Sequence, residues 1–179
     1  VTYKHAKEVK TTNPSFDNSK GYFYGKMNSF FILRPGIGYQ NVIFSKPEKS
    51  GVEIRYVTFI GGSLGIAKPV YLQILRRTPI DNYYELATER YDPNAHFPDN
   101  IYGRAPFSKG LNELKIYPGG YAKAGLTFEY GALDDVVKAI ETGITVDIYP
   151  KVIPLMATQR NQQVFVSLYL NFLYGRKWF

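Results

Sequence analysis

Cysteine is absent from the 179 residues. Its absence excludes disulfide frameworks, thiolate metal sites and cysteine nucleophiles, although it names no compartment. Long apolar runs are also missing: no window approaches the roughly 18 consecutive apolar residues of a membrane-crossing helix. Imidazole is scarce, with only His5 and His96 to act as bases. The chain does hold 16 Tyr, 12 Phe and 16 Gly beside 21% charged residues, a composition that suits a β-rich protein and excludes a disordered one. The net charge of +7 raises nucleic acid as a partner. Lys and Arg are scattered, however, and no RNP, zinc-finger or helix-turn-helix pattern accompanies them, so no nucleic-acid partner is expected. No signal peptide opens the sequence. Val1-Thr2-Tyr3-Lys4 reads like the middle of a strand, and the N-terminus is expected to be incomplete or processed.

Apolar residues recur with a period of two rather than 3.6. Between 51 and 76, Val52, Ile54, Tyr56, Thr58, Ile60, Leu64, Ile66, Val70, Leu72 and Ile74 share one parity. Glu53, Arg55, Gly61, Ser63, Gly65 and Gln73 fall on the other. The same alternation runs through 26–44, 120–130, 138–149 and 164–174, giving five long strands, with a sixth fragment at 1–7. One domain over 1–179 accommodates them.

Alternation alone does not say which face points inward. A soluble barrel turns its apolar face in, whereas an outer-membrane barrel turns it out to lipid. Three features favour lipid. Gly36, Gly38, Gly61, Gly65, Gly125 and Gly143 sit on the polar parity, which suits a crowded narrow interior. The strands are long: 51–76 offers far more than the roughly 10 residues that a tilted membrane strand needs. Connections alternate between short turns at 46–51 and 132–136 and long segments at 8–25, 77–117 and 150–162, as in outer-membrane barrels. Aromatics at strand ends, Tyr22, Tyr24, Tyr121 and Tyr149 on one side and Tyr130, Tyr174, Trp178 and Phe179 on the other, are expected to form headgroup girdles.

The sequence resembles a known group at several places. These are Asn28 to Tyr39 (NSFFILRPGIGY), Gly51 to Tyr56, Gly62 to Gly65, Lys68 to Leu72, Ile101 to Phe107, Glu141-Thr142-Gly143 and Gly175-Arg176-Lys177-Trp178. Together they are similar to uncharacterised small outer-membrane β-barrels of Bacteroidota. The resemblance implies an all-β, transmembrane, antiparallel up-and-down barrel in the bacterial outer membrane, and further strands before Val1. It implies no activity. Bacterial single-chain barrels have an even strand number of at least eight, so eight strands are expected, about six of them here.

The inward parity offers Arg34, Glu53, Arg55, Lys123, Glu129, Glu141 and Asp147. A proton relay or carboxylate pair is one reading. Three basic and four acidic groups that pair within a small lumen are the favoured one, because buried charges demand partners. His5 with Ser15, Ser19 or Ser29 invites comparison with lipid-modifying barrels, but no motif supports the pairing, and neither enzyme activity nor a cofactor is expected. Asp92, Asn94, Asp99 and Asn100 lack the spacing of a calcium loop, and no metal is expected. The 77–117 segment is read as a long extracellular loop, either a docking surface whose Tyr83, Tyr84, Tyr91 and Tyr102 anchor a partner or a solvated lid over the barrel. The expected partners are outer-membrane lipids and other outer-membrane proteins. The expected function is a structural anchor or accessory subunit of a larger outer-membrane assembly. A narrow channel or small-ligand transporter is the alternative, and a lipid-modifying enzyme comes third.

Overall fold

Period-two sequence becomes strand almost throughout. The computed structural model describes residues 2–3, 8–16, 19–45, 51–77, 84–130, 136–157 and 159–176. Over the described residues it is all-β, with 70% strand, and its main antiparallel sheet is strongly curled, in the manner of a half-barrel. The strands are β1 (Thr2–Tyr3), β2 (Lys10–Thr11), β3 (Tyr22–Phe23), β4 (Asn28–Leu33), β5 (Gly36–Phe44) and β6 (Glu53–Pro69). They continue with β7 (Tyr71–Arg77), β8 (Tyr84–Arg90), β9 (Ile101–Arg104), β10 (Lys115–Tyr130), β11 (Val136–Ile153) and β12 (Gln162–Arg176). The turns expected at 46–51 and 132–136 lie almost wholly outside the described residues, as do His5, Tyr83, Trp178 and Phe179.

The chain divides into two compact units. Unit 2 comprises 34–64, 118–150 and 163–179. Its strands follow the order β5-β6-β10-β11-β12. Long strands keep one register because a slip of one residue would turn every side chain to the wrong face. β10 and β11 pair without interruption from Gly120↔Ile148 to Tyr130↔Lys138. β5 and β6 pair from Gly36↔Gly61 onward, with a register shift between Val42 and Phe44.

Unit 1 comprises 1–33, 65–117 and 151–162. Here β7 is the centre of a three-stranded sheet of order β8-β7-β9. Tyr22, Leu72, Ile74, Tyr91 and Ile101 form its buried core, with Tyr24, Met27 and Val70 packed against them. Side-chain amides satisfy backbone that leaves the ladders. Asn13 donates to the Ile101 carbonyl at 2.8 Å, and the Asn161 side-chain oxygen accepts from the Leu155 and Met156 amides at 2.8 and 3.1 Å.

The structure changes three expectations about the strands. The stretch 26–44 is two strands, because Arg34-Pro35 interrupts the ladder and proline carries no donor. The stretch 51–76 is also two, since β6 ends at Pro69 and β7 begins a different sheet at Tyr71. Third, 77–117 is not an open loop. Its β8 and β9 flank β7, through Tyr71↔Arg90 to Arg77↔Tyr84 on one side and Leu72↔Arg104 to Ile74↔Ile101 on the other. They satisfy the backbone of β7 on both edges, while Tyr22, Tyr91 and Ile101 pack with its Leu72 and Ile74.

Candidate functional site

In unit 2 the two faces of β6, β10, β11 and the first part of β12 differ sharply, and the apolar face is the exposed one, whereas β5 is exposed throughout. Ile60, Ile144, Ile148, Val164, Val166, Leu168, Leu170 and Phe172 all stand in the open, Leu168 at 82% of its full exposure. On the opposite face Ser63, Thr127, Glu129, Thr145 and Asp147 are buried, and Asp147 is 0% exposed. A water-soluble sheet has the reverse distribution. The expected assignment of Ile144 to the outer face and Thr145 to the enclosed one is what the structure has.

The enclosed face gathers all seven charged residues singled out from the sequence into three clusters. In the first, the Arg34 guanidinium donates to both Asp147 oxygens, Nε to Oδ1 at 2.8 Å and Nη2 to Oδ2 at 2.6 Å. This two-pronged geometry is the strong form of the pair. Ser63 completes it, donating to Asp147 Oδ1 at 2.7 Å and sharing a 2.6 Å hydrogen bond with the Tyr149 hydroxyl. In the second, Arg55 bridges Glu53 and Glu129, the latter at 2.9 Å. In the third, Lys123 meets Glu141 at 2.7 Å, and its ammonium also lies 4.2 Å from the Tyr169 ring centre. Gly125 and Gly143 make room for the Tyr169 hydroxyl, since a Cβ at either position would collide with it. These two glycines serve close approach, which is why they fall on the polar parity.

Each of the seven charges therefore has a partner of opposite sign. Such pairs cost most of their Coulomb attraction in desolvation, so they solve a burial problem more than they add stability. Among the described residues no three His, Cys, Asp or Glu converge as a metal site. The Asp92 and Asn100 side chains cap turns instead, accepting from the Asn94 and Phe97 amides at 2.9 Å each. His96 is buried, with Nδ1 accepting from the Asp92 amide at 3.0 Å and Nε2 lying 3.4 Å from Glu89.

The aromatics are placed differently from expectation. Tyr22 lies in the unit 1 core, and Tyr121 and Tyr149 are buried on the enclosed face of unit 2, so none of the three is a headgroup-facing ring. Tyr24 is half-buried and meets Tyr91 edge-on at 6.3 Å. Tyr130 and Tyr174 are exposed as expected. Of the docking tyrosines, Tyr91 belongs to the core and Tyr102 packs edge-on against Phe16 at 5.2 Å. Tyr84 is exposed. A strand-end position reads the same in sequence whether its ring turns toward the core or away, hence the miscount.

Sequence reasoning overlooked a cavity of about 320 Å³ in unit 1, lined by Lys20, Lys26, Lys68 and Arg104. These cations are spread over 85 positions, and the pairing of β7 with β9 together with the hydrogen bond from the Arg104 amide to the Lys20 carbonyl brings them together. Comparison with protein-family models, with curated proteins and with solved structures finds no match to the chain.

Proposed function

We propose that the chain is part of an integral outer-membrane β-barrel, of the small Bacteroidota kind that its sequence resembles, serving as a structural anchor or accessory subunit of a larger outer-membrane assembly. One observation carries this reading: unit 2 exposes a continuous apolar face and encloses paired charges. An exposed face of that kind is stable against hydrocarbon and a liability in water.

The edges of the sheet add support. Among the described residues β5 pairs only with β6, and β12 lies at the end of the strand order. Unpaired backbone groups within lipid are costly, so these edges require partner strands. Eight strands in the intact barrel would supply them. A pore is disfavoured by the Arg34–Asp147 and Lys123–Glu141 pairs, which occupy the enclosed side.

Because the chain lacks cysteine, single labels are easily placed. Ile144→Cys, Leu168→Cys and Thr145→Cys variants, reconstituted in vesicles with a polarity-sensitive dye, are exposed to quencher-bearing lipid. Dyes at 144 and 168 should be quenched and the dye at 145 protected. Equal quenching at all three sites sinks the membrane reading. The accessory role is tested separately, by stoichiometric copurification in mild detergent against single-channel conductance of the purified chain.

A further inference from the structure

We infer that unit 1 carries a binding site for a phosphomonoester borne by a body no larger than a hexose, built around the buried ammonium of Lys68. The inference uses unit 1 alone and does not depend on the membrane reading.

The walls are set by backbone pairing. β3 and Lys20 form one side, the end of β6 and the start of β7 another, and the segment after β9 the third. Two of the cations are held in place by a close backbone approach. The Arg104 amide donates to the Lys20 carbonyl at 3.2 Å, and a Cβ on Gly103 would lie 2.5 Å from that oxygen. Only glycine permits the contact.

The charges do not cancel. Lys26 is held by Glu8 at 2.7 Å, which leaves Lys20, Lys68 and Arg104 facing a cavity whose lining contains no Asp or Glu. Lys68 is 6% exposed. Its ammonium donates to the Lys109 carbonyl at 2.8 Å and sits 4.8 Å from the Phe107 ring centre. No carboxylate pairs with it among the described residues. An ammonium has three donors, so two remain for the cavity. Burial without a counter-charge pushes the Lys68 pKa down, since desolvation penalises the charged form. An anion in the cavity would reverse that penalty.

The excess of three positive charges favours a phosphomonoester, with a charge of about −1.5 to −2 at neutral pH, over a single carboxylate. Arg104 offers a planar fork suited to phosphate oxygens. The cavity is at the small end of ligand pockets, which span about 300–1,000 Å³. Tyr71 and Phe107 provide apolar wall for the uncharged body.

The full chain in detergent micelles is titrated calorimetrically with glucose 1-phosphate and, separately, with glucose. Glucose 1-phosphate should bind and glucose should not. Lys68→Gln and Arg104→Gln should each weaken binding about tenfold or more, the usual loss of a charge-assisted hydrogen bond. Lys138→Gln, exposed in unit 2, should bind as wild type. Should Lys68→Gln fail to fold, Arg104→Gln, an exposed position, carries the test. Absence of binding at millimolar glucose 1-phosphate overturns the site, as does binding that neither pocket variant weakens. Nanodiscs bearing a lipid with a phosphorylated sugar headgroup then distinguish the sources. Competition with glucose 1-phosphate identifies a lipid headgroup, and lack of competition a free ligand, either result upholding the site.

Discussion

Units 1 and 2 are built from the same kind of strand and bury opposite things. Unit 1 places Tyr22, Leu72, Ile74, Tyr91 and Ile101 in its interior and leaves Glu85, Arg90 and Asp92 outside, as a protein in water does. Unit 2 encloses Asp147, Glu129 and Thr145 and exposes Leu168, Val166 and Phe172. The difference shows that a period of two fixes only which residues share a face; the surroundings decide which face is covered. It also fixes where the long connection belongs, since 77–117 falls wholly within unit 1.

The largest effect should come from breaking the enclosed charge of unit 2. Asp147→Ala leaves Arg34 without its two-pronged partner and removes the acceptor of Ser63. Loss of one member of a buried pair costs about 3–5 kcal/mol, read as a lower urea midpoint in reconstituted vesicles. Replacing Arg34 and Asp147 together by Met and Leu should recover much of that loss. If the single and double variants unfold together, the pair is solvated and unit 2 has no enclosed face.

The matching break in unit 1 is Leu72→Ala. Leu72 is 1% exposed at the centre of the core, and such truncations cost about 2–5 kcal/mol. Hydrogen exchange should show β7, β8 and β9 losing protection while β10 and β11 keep theirs. Uniform loss over all five strands would mean that the units do not unfold separately.

How much of this was visible in the sequence follows from the same contrast. The strands of unit 2 were legible because Gly120 to Tyr130 and Lys138 to Ile148 alternate without interruption. The seven charges could be grouped because all of them sit on the minority parity, where an unpaired ion would be costly. Unit 1 was largely illegible. Its β8 and β9 are short, separated by turns rich in Pro and Asn, and defined by their pairing with β7 rather than by their own periodicity. Tyr91 read as an anchor of a long loop, packed on the chain's own rim or on a neighbour, and it proves to pack within the core of unit 1. The pocket was invisible for another reason: Lys20, Lys68 and Arg104 are far apart in sequence and adjacent only through tertiary contacts.

A charge placed on the exposed face sharpens the comparison further. Ile144→Arg should destabilise unit 2 by about 2–4 kcal/mol if that side chain meets the middle of a bilayer. Ala87→Arg, at a half-buried position of β8 in unit 1, should cost about the same in thick and thin bilayers. The Ile144→Arg cost should instead vary with lipid chain length, because it depends on depth. Independence from chain length would place Ile144 outside the hydrocarbon.

The smallest expected effect is at Tyr84, the exposed survivor of the tyrosines first read as partner anchors. It pairs with Arg77 at the end of the β7–β8 ladder, and 68% of its surface is open. Exposed positions away from caps and ion pairs usually shift stability by no more than about 0.5 kcal/mol, so Tyr84→Ala should leave the urea midpoint nearly unchanged. Tyr91→Ala is the control, since that ring is 5% exposed and fills the core between Tyr24 and His96. It should cost about 3–5 kcal/mol, as large aromatic truncations do. A docking role for Tyr84 has a distinct signature. At a true hot spot truncation weakens the complex by about 2 kcal/mol or more while the isolated chain stays as stable as wild type. Copurified partner would then fall in Tyr84→Ala under conditions where the urea midpoint does not move. If both quantities stay at wild-type values, contact with a partner shifts to the apolar wall of unit 2, where Leu168 and Phe172 are the first positions to truncate.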